Sequence, residues 1–205
     1  MQAEQPTGVI LAGGRSSRMG VAHKALLGLG GEPILTRVID RIKPQLAGLL
    51  LSCERETAEF DGFGLPVVPG LLPGFRGPVA GLYSAVMQLA ESDQADRLVL
   101  CPCDAPFVPK TLVQTLLDSA GGGEPAVIIS YRDVLQPTFS LWHVRHLPLI
   151  RDALIDKGLG GLKQVLEFMP HVIVEWPESQ PSPFFNINTP QDLEMAEEWL
   201  DRMQL

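Results

Sequence analysis

The sequence has little of three features that would assign it to a specialised class of protein. It has only three cysteines among 205 residues, an odd number that favours reduced thiols over a disulfide framework. Lys and Arg are few, 16 against 24 Asp and Glu, and the net charge of −8 argues against general nucleic-acid binding. Its apolar runs are too short to span a bilayer, and its first residues do not resemble a signal peptide. We therefore expect a cytoplasmic protein that binds neither nucleic acid nor membrane.

What the sequence does contain is an alternation of apolar runs with segments of helical periodicity. The runs predict strands at 8–12, 48–53, 65–69, 97–103, 126–130, 136–142 and 171–176. Helical spacing predicts helices at 33–46, 79–91, 109–120, 144–158, 161–169 and 189–203. Thr189 is expected to cap the last of these, with Pro190 at its first position and Asp192 at its third. Near-continuous apolar strands separated by helices are typical of an α/β fold, in which helices cover both faces of a mostly parallel sheet.

Ligands of such folds bind at the carboxyl ends of the strands, so the loops there are the candidates for chemistry. The loop after the first strand reads "LAGGRSSRMGVAHK" (11–24). It is not a P-loop, because Val21 stands where the lysine is required, and it is not a dinucleotide fingerprint, because Gly13 and Gly14 are adjacent. Adjacent glycines still allow main-chain N–H groups to approach a phosphate or a base, while Arg18 and Lys24 offer cations to a polyphosphate.

Two further segments carry polar side chains suited to a phosphate site. Asp104 follows a buried strand in a turn flanked by Pro102 and Pro106, and a rigid carboxylate there suits Mg²⁺, which takes one or two carboxylates plus substrate phosphates. Asn186 and Asn188 occupy alternate positions of an extended segment, so we expect both side chains to point the same way. No second Cys or His pair stands at zinc spacing, which argues against a structural zinc.

Five elements in order along the chain resemble the molybdenum cofactor guanylyltransferases, a family of nucleotidyltransferases. They are "LAGGRSSRMG…K", "GPVAGL" (77–82), "CPCDAPFVP" (101–109), "QPTFSLW" (136–142) and "FFNINTPQDL" (184–193). The resemblance covers nearly the whole chain and implies one domain, 1–205, with a Rossmann-like three-layer α/β/α fold of the nucleotide-diphospho-sugar transferase type. Its twisted sheet would be mostly parallel with one antiparallel strand. It further implies a nucleotide-binding half at about 7–110 and an acceptor-binding, pterin-binding half at about 111–205.

The resemblance also implies a reaction and a set of site residues. GMP passes from GTP to molybdopterin, with Mg²⁺ as cofactor, and pyrophosphate leaves; the protein would make transient contacts with proteins that deliver molybdopterin and with molybdoenzyme chaperones. Lys24, Asp104 and Arg18 are expected to be catalytic, with Asp104 as the metal ligand. The expected nucleotide contacts are Leu11, Ala12, Gly13, Gly14, Lys24, Ser52, Gly70 and Asp104. The expected acceptor contacts are Gly77, Pro78, Asn186 and Asn188.

The chain departs from the family pattern at several positions. Val21 and His23 replace a glycine and an aspartate of the first loop, Ser52 stands near the position of an asparagine, and no acid lies between Val67 and Gly81. These departures leave three alternatives open. They are CTP transfer to the same cofactor, nucleotidyl transfer to a sugar phosphate, and a degraded relative that binds nucleotide or pterin as an accessory protein.

Overall fold

A seven-stranded sheet organises the protein in the computed structural model, which describes residues 5–13, 23–53, 58–71, 77–92 and 95–203. The strands of this sheet and of a small separate hairpin are β1 Thr7–Leu11, β2 Gly28–Leu29, β3 Glu32–Pro33, β4 Gly48–Cys53, β5 Val67–Pro69, β6 Arg97–Pro102, β7 Ala126–Tyr131, β8 Val134–His143 and β9 His171–Glu175. The helices are α1 Ile34–Ile42, α2 Pro78–Ser92, α3 Leu112–Asp118, α4 Leu147–Arg151, α5 Leu162–Leu166 and α6 Pro190–Met203.

The strand order of the large sheet is β5-β4-β1-β6-β8-β7-β9. β1 lies parallel to both β4 and β6, and β7 lies parallel to β9. β8 runs antiparallel to both of its neighbours, β6 and β7. The prediction of a mostly parallel sheet with one antiparallel strand is therefore confirmed.

The core is divided by the sheet into two apolar layers. Alternate residues of each central strand point to opposite faces, so Ile10 joins the layer covered by α1, α3 and α6, while Val9 joins the layer covered by α2, α4 and α5. Both faces are covered, which explains why the central strands read as unbroken apolar runs. The three-layer α/β/α prediction is confirmed.

Three helices are shorter than the sequence-based prediction; the last of them, predicted at 161–169, is α5, which covers only Leu162–Leu166. The helix predicted at 33–46 ends as α1 at Ile42, since Pro44 follows and the chain continues as a short 3₁₀ turn. The helix predicted at 109–120 begins later, at Leu112. There the Gln45 side chain accepts a 2.9 Å hydrogen bond from the main-chain N–H of Val113, so a residue from a distant turn satisfies a donor in the first helical turn. Such a cap comes from tertiary contact, which local sequence does not reveal.

The segment predicted as one helix at 144–158 divides into three short pieces. A 3₁₀ turn at Val144–His146 leads into α4, and a π-helical turn follows at Asp152–Asp156. The small hairpin of β2 and β3 was not predicted; its turn uses Gly30 and Gly31, which have φ values of 58° and 82°. Within the described residues, no helix is both long and apolar enough to cross a membrane.

Candidate active site

The candidate site lies at the carboxyl edge of the sheet, where β1 runs between its two parallel neighbours, β4 and β6. The carboxyl ends of β4, β1 and β6 are in register, with Leu11 beside Ser52 on one side and Pro102 on the other. Main-chain hydrogen bonds extend this edge beyond the strands, from Ala12 N–H to the Ser52 carbonyl at 2.8 Å and from Cys103 N–H to the Leu11 carbonyl at 3.3 Å. The loops that leave this edge therefore start from fixed positions.

Lys24 is the centre of the polar contacts at this edge. It is the first residue of a 3₁₀ turn, Lys24–Leu26, which is held in place by the buried side chain of Ala25. The Lys24 ammonium contacts the Asp104 carboxylate and donates a 2.8 Å hydrogen bond to Oδ1 of Asn188. The structure thus brings together Lys24 and Asp104, which the family resemblance implies are catalytic, and Asn188, which it implies contacts the acceptor.

Asp104 is placed by the turn that follows β6. Its side chain is buried, and its carbonyl accepts a 2.9 Å hydrogen bond from the main-chain N–H of Ile187. That bond ties the end of β6 to the segment that carries both asparagines. Because Asp104 and Lys24 form a mostly buried pair of opposite charge, each lowers the cost of burying the other.

The two asparagines do not make equivalent contacts. Asn188 reaches Lys24 with its Oδ1 and donates its Nδ2–H to the main-chain carbonyl of Asn186 at 3.3 Å. Oδ1 of Asn186 is buried, and no hydrogen-bond partner for it is found among the described residues. An unsatisfied buried oxygen of this kind is suited to accept a donor or a cation from a ligand.

Asp192 holds Asn188 in place, a role that the sequence did not indicate beyond helix capping. Its Oδ2 accepts hydrogen bonds from the main-chain N–H groups of Asn188 at 2.9 Å and of Thr189 at 2.8 Å. In return, the Asp192 N–H donates to the Thr189 hydroxyl at 3.2 Å. The predicted cap of α6 by Thr189 is present, and it fixes the residue that binds Lys24.

The other predicted contacts surround the same edge. Ala12 and Ser52 are buried, Gly13 is half-buried, and Gly70 is exposed just after β5. Gly77 precedes α2, which begins at Pro78, and has a φ of 95°; a Cβ there would lie 3.0 Å from the Gly160 carbonyl oxygen. Gly14 and Arg18 lie outside the described residues.

Two cysteines, Cys101 and Cys103, precede Asp104 but do not join its chemistry. Burial, reinforced by the nearby Asp104 charge, raises the pKa of Cys101 well above its usual value and that of Cys103 to about 12. Both side chains therefore remain thiols near neutral pH. A thiolate can act as a nucleophile or bind a metal, but a thiol cannot do so effectively. We therefore infer that Cys101 and Cys103 have a structural role.

The donor set fits a hard divalent cation bound together with substrate phosphates. No group of three or more His, Cys, Asp or Glu side chains that could hold a metal occurs in the part of the chain that the structure describes. Mg²⁺ does not require such a cage, because it binds through one or two carboxylates and substrate phosphates. The Asp104 carboxylate and the unsatisfied Oδ1 of Asn186 are oxygen ligands of the appropriate kind.

His23 makes contacts that the sequence did not predict. Its Nε2 lies 3.3 Å from Oε2 of Glu59, and its ring packs edge-on against the Phe60 ring with centroids 5.2 Å apart. Both partners belong to the 3₁₀ segment Ala58–Phe63, which lies between β4 and β5. Nothing in the local sequence around His23 indicates this partner.

Comparison with known proteins agrees with this architecture. Residues 8–172 match the MobA-like NTP transferase domain family. The chain is 38% identical to a molybdenum cofactor guanylyltransferase of Rhizobium meliloti (strain 1021), over 97% of this chain and 94% of that protein. It is 36% identical to the protein of the same name from Rhodopseudomonas palustris (strain BisB5), over 92% of this chain and 91% of the relative.

A solved structure shares the fold. Molybdopterin-guanine dinucleotide biosynthesis protein A from Archaeoglobus fulgidus superposes with a TM-score of 0.79 at 23% identity, covering 96% of this chain and 100% of that one. At this identity the likeness concerns the fold alone. The family match and the named relatives carry the assignment further: this chain belongs to the MobA-like NTP transferase family.

Proposed function

We propose that this protein is a nucleotidyltransferase that transfers GMP from GTP to molybdopterin and releases pyrophosphate. The observation that carries the proposal is the meeting of Lys24, Asp104 and Asn188 at the carboxyl edge of the sheet. The lysine cation can bind phosphate oxygens directly, the carboxylate can bind them through a divalent cation, and the amide oxygen positions the lysine. The relatives named as guanylyltransferases supply the identities of the two substrates.

The proposed reaction needs no covalent enzyme intermediate. An oxygen of the terminal phosphate of molybdopterin attacks the α-phosphorus of GTP, and the bond from that phosphorus to the bridging oxygen of pyrophosphate breaks. The attacking phosphate is already an anion, so the work of the protein is positioning and charge neutralisation. Lys24 and Arg18 provide positive charge to the triphosphate and to the leaving pyrophosphate.

We assign Asp104 as the ligand of Mg²⁺, with Oδ1 of Asn186 as a further oxygen at the same edge. When bound, the ion neutralises charge on the phosphates. Lys24 contacts Asp104, so a triphosphate that binds the Lys24 ammonium would exchange the carboxylate for phosphate oxygens. Asn188, held by Asp192, keeps a second acceptor near the ammonium during this exchange.

The remaining assignments are made for the two halves of the chain, with Gly77 and Pro78 of the first half assigned to the acceptor. We assign the nucleotide to about 7–110 and the acceptor to about 111–205. The proposed nucleotide contacts, in addition to Lys24 and Asp104, are Leu11, Ala12, Gly13, Gly14, Ser52 and Gly70. The proposed acceptor contacts are Gly77, Pro78, Asn186 and Asn188. Reduced thiols at Cys101 and Cys103 support the cytoplasm as the compartment, where proteins that deliver molybdopterin and molybdoenzyme chaperones would be met.

The proposal is tested with a panel of nucleotides. GTP, CTP, ATP and UTP are each added with Mg²⁺, and the unfolding temperature is measured, because a ligand that binds the native state raises it. Pyrophosphate release is then measured with molybdopterin present. We expect GTP to give the largest shift and to support release. A preference for CTP would replace guanylyl by cytidylyl transfer, and binding without release from any nucleotide would indicate an accessory protein.

A further inference from the structure

We propose that His23 is a positioning residue that holds Lys24 in place through its contact with Glu59, an inference that rests on the proposed function. His23 directly precedes Lys24, and its side chain does not cap the turn that Lys24 begins. It extends instead to the segment Ala58–Phe63, where Nε2 lies 3.3 Å from Oε2 of Glu59. This contact links the main chain beside Lys24 to a separate element.

The element that receives His23 is firmly anchored. Phe60 is completely buried in the core, and Phe63 packs near it with ring centroids 6.3 Å apart. The His23 ring lies edge-on against Phe60, an arrangement that adds to simple burial. The contact surface for His23 is thus fixed by the core, while Glu59 supplies a directional acceptor.

Loss of the contact between His23 and Glu59 should lower the rate of catalysis rather than the stability of the fold. The Glu59 side chain is 55% exposed, and exposed ion pairs contribute little to folding. Main-chain displacement at residue 23 is transmitted directly to Lys24, whose ammonium must stay within hydrogen-bond distance of its partners. Small misplacements of a group that neutralises charge in the transition state cause large losses of rate.

The contact does not require a charged histidine. A neutral imidazole with its proton on Nε2 donates to the Glu59 carboxylate as an imidazolium does. A glutamine at residue 23 also places a donor at the end of its side chain, whereas a phenylalanine keeps the ring contact with Phe60 and loses the donor. The pair of variants His23→Gln and His23→Phe therefore separates the hydrogen bond from the aromatic contact.

The experiment measures pyrophosphate release and unfolding temperature for His23→Phe, His23→Gln and Glu59→Ala. We expect His23→Phe and Glu59→Ala each to lower kcat about tenfold. A tenfold loss corresponds to about 1.4 kcal/mol of transition-state stabilisation. We expect His23→Gln to recover most of that loss. The matched control is Arg151→Gln, which breaks an exposed ion pair of similar length, 3.4 Å, between Arg151 and Asp156.

A further comparison excludes a merely structural role. If His23 acts through Lys24, His23→Phe should cause no additional loss of kcat, or of the thermal shift produced by Mg²⁺ and GTP, in a Lys24→Ala background. Equal losses in both backgrounds, or wild-type kcat for His23→Phe, would overturn the proposal. Failure of the wild-type protein to use GTP would instead reject the proposed function, and the thermal shift with whichever nucleotide binds would still report on His23.

Discussion

The Lys24 ammonium donates a 2.8 Å hydrogen bond to the Asn188 side chain, joining residues that stand 164 positions apart. The same ammonium contacts Asp104 at the end of β6. The segments after β1, after β6 and before α6 therefore meet at one positive charge. Because the three segments come from distant parts of the chain, the site depends on the whole fold, and its contacts can be tested one at a time.

The first prediction concerns competition for the Asp104 carboxylate. Lys24 and a divalent cation both require this group, so the Lys24 contact should weaken metal binding in the absence of nucleotide. We expect Lys24→Ala to bind Mn²⁺ more tightly than the wild-type protein, by about tenfold if the ammonium opposes the metal by about 1.4 kcal/mol. Electron paramagnetic resonance of free Mn²⁺ measures this affinity without any turnover.

A double variant provides the control for this prediction. Asp104→Asn in the Lys24→Ala background keeps the shape of the side chain but removes its negative charge. We expect the gain in Mn²⁺ affinity to disappear in that protein. Equal Mn²⁺ affinity in the wild type and in Lys24→Ala would show that the ammonium does not compete with the metal.

The second prediction concerns Asp192, which accepts hydrogen bonds from the main-chain N–H groups of Asn188 and Thr189. Asp192→Ala removes part of the N-terminal cap of α6, which should cost about 1 kcal/mol of stability. It should also lower kcat, because Asn188 loses the contact that orients it toward Lys24. Urea unfolding and pyrophosphate release measure the two effects separately.

Gln164→Ala is the matched control for Asp192→Ala. Gln164 caps α5 by accepting a 3.1 Å hydrogen bond from the main-chain N–H of Gly161. Its removal should reduce stability by a similar mechanism without reducing kcat. If both variants lowered kcat to the same extent, the lower kcat of Asp192→Ala would result from reduced stability alone.

Sequence reasoning succeeded for the features that local pattern determines. The apolar runs predicted all seven strands of the large sheet, because strands covered on both faces must be apolar throughout. The Thr189 cap of α6 was also predicted, since Thr189, Pro190 and Asp192 form a local signature. The rule that ligands bind at the carboxyl ends of strands selected the loops that carry Lys24 and Asp104 as candidates, and the family resemblance implied that both residues act at one site; the structure places the two side chains in contact.

Sequence reasoning failed where a contact joins distant segments. The Gln45 side chain that caps α3 lies 68 positions from Val113, and no local signal links them. The pairing of His23 with Glu59 is equally invisible, because the two residues lie in different loops. Such contacts depend on how the folded layers approach one another, so a periodicity or a motif does not reveal them.

The third prediction concerns Gly81, where α2 passes the carboxyl ends of β1 and β4. A Cβ at this position would lie 2.9 Å from both Leu11 Cδ2 and Ser52 Oγ. Alanine normally favours a helix over glycine, but here the crowding should dominate and destabilise the protein by about 1–2 kcal/mol. Displacement of Leu11 and Ser52 should also weaken GTP binding, if these residues contact the nucleotide.

Urea unfolding and the thermal shift with GTP measure the effects of Gly81→Ala. Gly62→Ala is the control, because a Cβ at Gly62 would meet no atom within 4 Å. Its stability should stay within about 0.5 kcal/mol of the wild type. An increase in stability for Gly81→Ala would mean that the neighbouring side chains move aside without cost.

The last prediction concerns His143, at the end of β8 and far from the proposed site. Neither ring nitrogen has a hydrogen-bond partner among the described residues, and both are buried. Burial lowers the pKa of His143, and the nearby charges of Arg145 and Arg97 lower it further; the Asp96 main chain opposes this in part, although it makes no hydrogen bond of normal geometry with the ring. Protons therefore bind His143 more readily in the unfolded chain, where the pKa of histidine is about 6.5.

The sign of the effect on stability follows from this difference. The contribution of neutral His143 is fully present above about pH 6.5 and is lost as the pH falls below that value, because protonation favours the unfolded chain. We expect His143→Phe, which keeps a ring and removes the titrating group, to unfold at nearly the same urea concentration as the wild type at about pH 7.5. At about pH 5 it should be the more stable of the two proteins.

Arg145→Gln provides a second test, because removing this cation should bring the pKa of His143 closer to its unfolded value and reduce the loss of stability at low pH. Urea unfolding of all three proteins at about pH 5 and about pH 7.5 gives the comparison. If the free energy of unfolding fell by the same amount in His143→Phe as in the wild type, groups other than His143 would account for the acid sensitivity of this fold.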